Sequence, residues 1–166
     1  MAKEKKISER NDKELFLNKE YDSTLADLKK HIRNSQLKAI SAANAELISL
    51  YWNVGKTIVE KQENSGWGTK IIEKLAKDIQ NEFPGIEGFS RTNIFRMRAF
   101  YITYANYPTA VGQLNEYPIE ILLNIPWGHN CILMEKLQNS EERLWYAKKI
   151  IEHGWSRSIL TLWIEN

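Results

Sequence analysis

The sequence has few of the residues that build loop-rich or cross-linked scaffolds. Its 166 residues include one cysteine, four prolines and eight glycines. A single cysteine excludes a disulfide framework and fits a reducing compartment, so a cytoplasmic location is expected. Because proline and glycine are scarce while six tryptophans are present, the composition disfavours a disordered chain and favours one with a real core.

Long apolar runs and clustered metal ligands are also missing. No run approaches the roughly 20 apolar residues that a membrane-spanning helix needs, and the basic N-terminus leads into no signal-peptide stretch, so no membrane partner is expected. The three histidines, His31, His129 and His153, are widely spaced, and we expect neither a metal site nor a cofactor.

No arrangement of side chains in the sequence is typical of an enzyme. His129 follows Trp127 closely, but a lone histidine beside a tryptophan is more typical of a packed residue than of a catalyst. No serine, cysteine or carboxylate nearby offers a nucleophile–base pair. The single Glu-x-Lys begins at Glu4 in the charged N-terminal segment, where no strand could support a metal-dependent nuclease centre. No catalytic residue and no enzymatic activity are therefore expected of this chain.

The charges are nearly balanced. The chain has 23 lysines and arginines against 21 aspartates and glutamates, for a net charge of +2. Such a balance is unlike that of a protein that coats nucleic acid nonspecifically. Any contact with nucleic acid must therefore come from a local basic patch.

Apolar residues recur at helical spacing from Tyr21 onward, and no convincing alternating strand is present, so the sequence predicts an all-α fold. Residues 1–20 are predicted to be a charged, flexible leader, and residues 21–166 a single multi-helix domain. The longest periodic stretch covers 35–62, with one broad apolar face that contains Leu37, Ile40, Leu47, Leu50, Tyr51, Val54, Ile58 and Val59. Asn44 projects into that face, where its amide could form an intramolecular hydrogen bond or specify a dimer.

Capping residues and helix-breaking residues predict the helix boundaries. Helices are expected over 70–82, 91–105 and 140–153, followed by a final helix after residue 156. The predicted N-caps are the Asp22-Ser23-Thr24 group, Thr69, Ser90, Asn139 and Ser156. Gly154 is predicted to end the helix over 140–153. Pro108, Pro118 and Pro126 are expected to divide the last third into shorter pieces.

The helices predicted around residues 70–105 resemble a helix-turn-helix pair, whose second helix can enter the major groove of DNA. The predicted DNA-binding residues are Arg91, Asn93, Arg96 and Arg98 on the second helix and Lys70, Lys74 and Lys77 on the first. Arginine can bind guanine, asparagine can bind adenine, and a lysine stripe suits phosphates.

Two features weaken this interpretation. The connection from Phe83 to Phe89 is longer than the usual turn, and Arg96 projects away from the stripe that Arg91 and Arg98 share. Plain packing, with the arginines solvated or ion-paired, therefore remains an alternative. The core face of the second helix is predicted to hold Ile94, Met97, Tyr101 and Tyr104, and a second apolar strip holds Phe95 and Ile102. Such a helix is expected to pack against two partners.

Several short motifs occur in the order found in one protein family. They are Leu50-Tyr51-Trp52-Asn53-Val54-Gly55-Lys56, Gly66-Trp67-Gly68, Phe83-Pro84-Gly85, Gly88-Phe89-Ser90, Asn93, Met97-Arg98-Ala99-Phe100, Pro126-Trp127-Gly128-His129, Leu144-Trp145-Tyr146-Ala147 and Glu152-His153-Gly154-Trp155-Ser156-Arg157. Over roughly residues 22–166, the chain resembles the N-terminal domain of YhcG-like proteins. One departure is Asn130, where the family often has a second histidine, and this argues against a paired-histidine site.

The resemblance implies an all-helical domain that precedes a C-terminal PD-(D/E)XK nuclease domain in proteins linked to DNA recombination, repair or defence. On this basis we expect a non-catalytic module that binds or positions double-stranded DNA for the nuclease domain. The alternative is an assembly module that homodimerises or docks the nuclease domain without contacting DNA. The family's nuclease residues match no position in this chain.

Overall fold

A computed structural model describes the backbone of residues 2–105 and 119–166, and the side chains of residues 16–105 and 119–166. This part of the chain contains seven α-helices and no strand, which confirms the predicted all-α fold. The helices are α1 (Ala2–Ser65), α2 (Thr69–Glu82), α3 (Arg91–Ala105), α4 (Ile119–Leu123), α5 (Trp127–Lys136), α6 (Ser140–His153) and α7 (Arg157–Glu165). Pro108 and Pro118 lie outside the described residues.

The chain divides into two units, Met1–Ala42 and Ala43–Asn166. The described residues of the first unit all lie in α1, and the second unit contains the rest of α1 and the other six helices. The N-caps predicted at Asp22, Ser23 and Thr24 are wrong, because these residues lie inside α1. Polar residues that can cap a helix can also continue it, and no proline interrupts the chain before Pro84. The division into a leader over 1–20 and a domain over 21–166 stays a prediction.

Most of the other predicted boundaries are confirmed by local hydrogen bonds. The Asn139 side chain accepts from the backbone N–H groups of Glu141 and Glu142, and the Ser156 hydroxyl accepts from that of Ile159. Gly154 ends α6 in the left-handed region, at φ 62°. Thr69 is a wrong prediction, because Gly68 is the N-cap of α2 and supplies no side-chain hydrogen bond.

The core of the second unit has two clusters, which meet at Trp127. Tyr51, Ile58, Ile72, Phe89, Ile94 and Met97 lie in the cluster shared by α1, α2 and α3. The other cluster packs Ile48 and Phe100 against α4, α5, α6 and α7. Helix α3 contributes to both clusters, so it packs against two partners as predicted. The predicted faces are wrong in part, because Phe100 is buried rather than Tyr101 and Ile102 of the second strip is exposed.

The apolar face predicted over 35–62 enters the core only in part. Tyr51 and Ile58 are buried there, whereas Leu37, Ile40, Leu47 and Leu50 are exposed. Of the two roles considered for the Asn44 amide, an intramolecular hydrogen bond and the specification of a dimer, the structure shows the hydrogen bond. Its amide donates to the main-chain oxygens of Leu123 at 2.9 Å and Ile125 at 3.1 Å.

Candidate nucleic-acid interface

The predicted basic residues lie on α2 and α3, which are joined by a turn with two glycines at positive φ. Gly85 has φ 83° and Gly88 has φ 85°, a region that residues with a Cβ rarely adopt. The Ser90 hydroxyl then accepts the backbone N–H of Asn93 at 3.2 Å and caps α3. These local features fix where α3 begins, and so where its first arginine lies beside α2.

Arg91 lies in the first turn of α3 and forms an ion pair with Glu73 of α2. Its Nε and one terminal nitrogen lie 2.8 and 2.6 Å from the same Glu73 oxygen, Oε1. The guanidinium also lies 5.3 Å from the centre of the Phe95 ring. Because a guanidinium has five N–H donors, this arrangement leaves donors for a further ligand.

Arg96 forms a matching ion pair with α5. Its Nε and one terminal nitrogen each lie 2.8 Å from Oε1 of Glu135. Both partners of this pair are about half exposed, at 43% for the Arg96 side chain and 51% for the Glu135 side chain. An ion pair this exposed contributes only about 0–1 kcal/mol, so a phosphate can compete for Arg96.

Arg91 and Arg96 line one cleft, whereas Arg98 lines another. The first cleft measures about 540 Å³ and is also lined by Thr69, Thr92 and Thr103. We call it the arginine cleft. Arg98 donates to the Gln62 side chain of α1 and lines a cavity with Glu60 and Glu63. The helical projection grouped Arg91 with Arg98, but the surrounding helices give these two arginines different neighbours.

A second, smaller cavity shares two lining residues with the arginine cleft and adds a basic residue that sequence reasoning missed. Arg96 and Glu135 line both cavities, and the smaller one, of about 350 Å³, also contains Arg157 at the start of α7. A Cβ on Gly128 would lie 2.8 Å from the Cδ of Arg157, so the glycine lets this arginine approach α5. The signal in the sequence was an arginine directly after the Ser156 cap, but nothing local indicated that α7 would lie beside α5.

Asn93 lines the smaller cavity with Arg96 and Arg157, but its amide is held by bonds within the protein. Its amide nitrogen donates to the main-chain oxygen of Gly88, and its amide oxygen accepts from the Trp127 indole N–H at 2.7 Å. Both ends of the amide therefore bond within the protein. A contact with adenine would have to use the second N–H and the second oxygen lone pair of an amide whose orientation these two bonds fix.

The three lysines of α2 are exposed. Lys74 pairs with Asp78 at 2.6 Å, one turn further along the same helix. Lys70 follows Thr69, which lines the arginine cleft, whereas Lys77 lies about two turns away from it along α2.

The segment around His129 is packed rather than open. His129 is buried, and its Nε2 lies 2.8 Å from the main-chain oxygen of Trp155. Asn130 is fully buried and donates to the main-chain oxygens of Leu122 and Ile125. This confirms the interpretation of His129 as a packed residue.

Cys131 lines the smaller cavity but is a poor nucleophile there. Burial raises the pKa of its thiol to about 11. The positive charge of Arg96 opposes this shift and the negative charge of Glu135 reinforces it, but desolvation is the largest cause. At neutral pH the thiol is almost entirely protonated, and a protonated thiol reacts slowly.

The described part of the chain lacks two further features. No group of three or more histidines, cysteines or carboxylates there could hold a metal ion. No helix there combines the length and the apolar character that crossing a membrane requires.

A comparison with known protein families matches residues 27–166 to the DUF1016 N-terminal domain, a domain of unknown function. The match covers most of the chain, and the chain therefore belongs to this family. Searches of curated proteins and of solved structures found no significant match.

Proposed function

We propose that this DUF1016 N-terminal domain is a non-catalytic module that binds double-stranded DNA and positions it for a nuclease. The observation that carries the proposal is that Arg91 and Arg96 line one cleft together with three threonines, and that Arg96 also lines a second cavity with Arg157. Guanidinium and hydroxyl groups are the usual partners of DNA phosphates. The resemblance of the motifs to YhcG-like proteins suggests that the nuclease is a PD-(D/E)XK domain.

The ion pairs of the arginine cleft support DNA binding in which a phosphate replaces the carboxylate that pairs with each arginine. Glu73 and Glu135 hold Arg91 and Arg96 in place without burying them. A DNA phosphate that approaches the cleft replaces a carboxylate as the partner of each arginine. Since both carboxylates repel phosphate, they also limit nonspecific affinity, which agrees with a net charge of only +2.

The predicted DNA-binding residues are given different roles in this proposal. Arg91 and Arg96 hold phosphates in the arginine cleft, and Lys70 extends the basic surface along α2. Lys74 and Lys77 add charge further along that helix. Arg98 lies beside Glu60 and Glu63 in another cavity, and the Asn93 amide bonds within the protein, so neither is assigned a DNA contact.

The test is binding of the full chain to a labelled duplex at two salt concentrations. The double variant Arg91→Ala/Arg96→Ala should bind more weakly and lose part of the salt dependence, because each lost phosphate contact lowers the slope of log K against log salt by about 0.9. The matched control is Lys30→Ala/Arg33→Ala, which removes the same charge from the first unit. Equal weakening by the two double variants would contradict the assignment of the cleft.

A variant with the opposite expected effect makes the test sharper. Glu135→Gln removes the carboxylate that competes for Arg96 and retains a side chain of the same shape. If phosphates bind at Arg96, this variant should bind DNA more tightly than the wild type. Unchanged affinity would show that DNA does not reach the arginine cleft.

The alternative function is assembly, either as a homodimer or by docking a nuclease domain without DNA contact. Exposed apolar side chains on the last two helices favour it: Trp145, Ile151, Ile159, Leu162 and Trp163. Asn44 no longer supports it, because its amide is bonded within the second unit. Assembly alone predicts that the wild type binds no duplex, so the binding measurement separates the two functions, and a mass determination on the same sample shows whether the chain forms a homodimer.

A further inference from the structure

The first unit exposes apolar side chains that no other helix of that unit covers. The described residues of this unit, Met1–Ala42, all lie in α1. Tyr21, Leu28 and Ile32 are 65%, 54% and 55% exposed. Large apolar side chains that recur along one helix in this way mark an interaction surface more often than a solvated face.

The spacing of these residues is that of a coiled coil. Tyr21, Leu25, Leu28 and Ile32 follow one another at intervals of four, three and four residues, which is the alternation of the two core positions of a heptad. The same register continues through Ser35, Ala39 and Ala42. We call Tyr21, Leu25, Leu28 and Ile32 the heptad stripe.

The charges beside the heptad stripe select one kind of pairing. Asp22 and Lys29 each directly follow a stripe residue and occupy the same flank of the helix. In an antiparallel pair of identical helices this flank faces itself, so Asp22 lies near the partner's Lys29. In a parallel pair the flank faces the opposite one, where Thr24 would meet Lys29 and Leu17 would meet Asp22. Only the antiparallel arrangement joins opposite charges.

We propose that the heptad stripe pairs with the same stripe of a second copy of this chain in an antiparallel coiled coil. Tyr21 packs opposite the partner's Ile32, and Leu25 opposite the partner's Leu28. A two-fold axis between residues 26 and 27 relates the copies, so each contact occurs twice. Two reciprocal ion pairs between Asp22 and the partner's Lys29 fix the orientation. This pairing uses none of the DNA-binding residues proposed above.

The test exchanges the two charges in the full chain. Analytical ultracentrifugation over a range of concentrations should show a monomer–dimer equilibrium for the wild type. Asp22→Lys and Lys29→Asp, each alone, should raise the dissociation constant about tenfold, because two exposed attractions become repulsions. The double variant Asp22→Lys/Lys29→Asp should return it to near the wild-type value. Both residues are exposed, so neither change should affect folding of the monomer.

The control is Lys30→Asp, which changes the net charge as much as Lys29→Asp but lies away from the stripe. It should leave the dissociation constant nearly unchanged. A wild type that stays monomeric at every concentration, a double variant that fails to recover, or a control as damaging as Lys29→Asp would overturn the proposal.

Cross-linking tests the orientation independently. Tyr21→Cys combined with Ile32→Cys should yield a disulfide-linked dimer under mild oxidation, whereas Tyr21→Cys alone should not, because the two copies of residue 21 lie about 16 Å apart along the helices. The native Cys131 is buried and does not compete. Rapid cross-linking of the single variant would overturn the antiparallel arrangement.

Discussion

Gly55 of α1 lies directly against the main chain of Met97 in α3. A Cβ at position 55 would lie 2.8 Å from the carbonyl carbon of Met97, and closer still to its oxygen. The Trp52 ring, one turn earlier, packs edge-to-face on Phe100 and Tyr101. A glycine inside a helix costs about 1 kcal/mol relative to alanine, and here it permits two helices to cross in close contact.

Replacing Gly55 with alanine should therefore destabilise the protein, although alanine favours the helix. The added methyl group collides with backbone atoms, which cannot move aside as a side-chain end would. Overpacking of this kind costs about 1–3 kcal/mol, and we expect a net loss of free energy of unfolding in urea titrations. Lys56→Ala places the same residue at an exposed position in the same turn, and should change stability by under about 0.5 kcal/mol. A urea midpoint of the Gly55→Ala variant equal to that of the wild type would contradict the close crossing of α1 and α3.

Replacing Asn44 with leucine should remove both hydrogen bonds to the main chain after α4. The Ile125 oxygen would keep the donor of Asn130, whereas the partly buried Leu123 oxygen would lose this donor, and leaving a buried acceptor unpaired costs about 1–3 kcal/mol. Chemical denaturation measures the loss. Asn124→Ala is the control, because Asn124 also donates to a main-chain oxygen, that of Glu120, but at an exposed position where water can take its place. An equal loss of unfolding free energy in the two variants would show that the Asn44 bonds stabilise the protein no more than an exposed hydrogen bond does.

The difference between Asn44 and the helix caps shows which parts of the fold the sequence predicts. Asn139 and Ser156 bond to N–H groups two or three residues away, so their roles follow from local sequence. The position of Asn44 in an apolar face indicated that its amide needs a partner. The partner lies 79 residues away, and no periodicity in the sequence specifies it.

The Cys131 thiol should be nearly unreactive in the folded protein. Burial raises its pKa to about 11 from an ordinary value of 9.0, so folding favours the protonated form. That contribution to stability is complete below about pH 9 and is lost as the pH rises from 9 through 11. Labelling with a disulfide reagent at pH 8 should be slow for the native protein and rapid in denaturant. Native labelling as fast as that of a free thiol would contradict the burial.

Arg157 should contribute to DNA affinity if the arginine cleft and its neighbouring cavity bind one phosphate backbone. Arg157→Ala should weaken binding at low salt and lower the salt slope by about 0.9, because one phosphate contact is lost. Lys148→Ala removes a charge from an exposed position on α6 and serves as the control. Filter binding at several salt concentrations measures both slopes, and identical slopes for the two variants would remove Arg157 from the interface.

The sequence predicted which basic residues belong to the candidate site, but not which of them lie together on the surface. The sequence places three arginines on one helix, and projection along that helix groups Arg91 with Arg98. The structure instead gives Arg91 and Arg96 a common cleft, because the neighbouring helices supply Glu73 and Glu135 on that side. A helical projection describes directions around one axis and contains no information about which helices lie beside it.

Asn44 and Asn130 donate to the same stretch of main chain, at the oxygens of Leu122, Leu123 and Ile125. A carbonyl oxygen is common to every amino acid, so these bonds do not depend on which side chains the turn carries. The side chains of Leu122 and Ile125 are constrained instead by packing, since both are fully buried. Because the Ile125 oxygen accepts from both amides, the loss of either asparagine alone leaves the other as a donor to this turn.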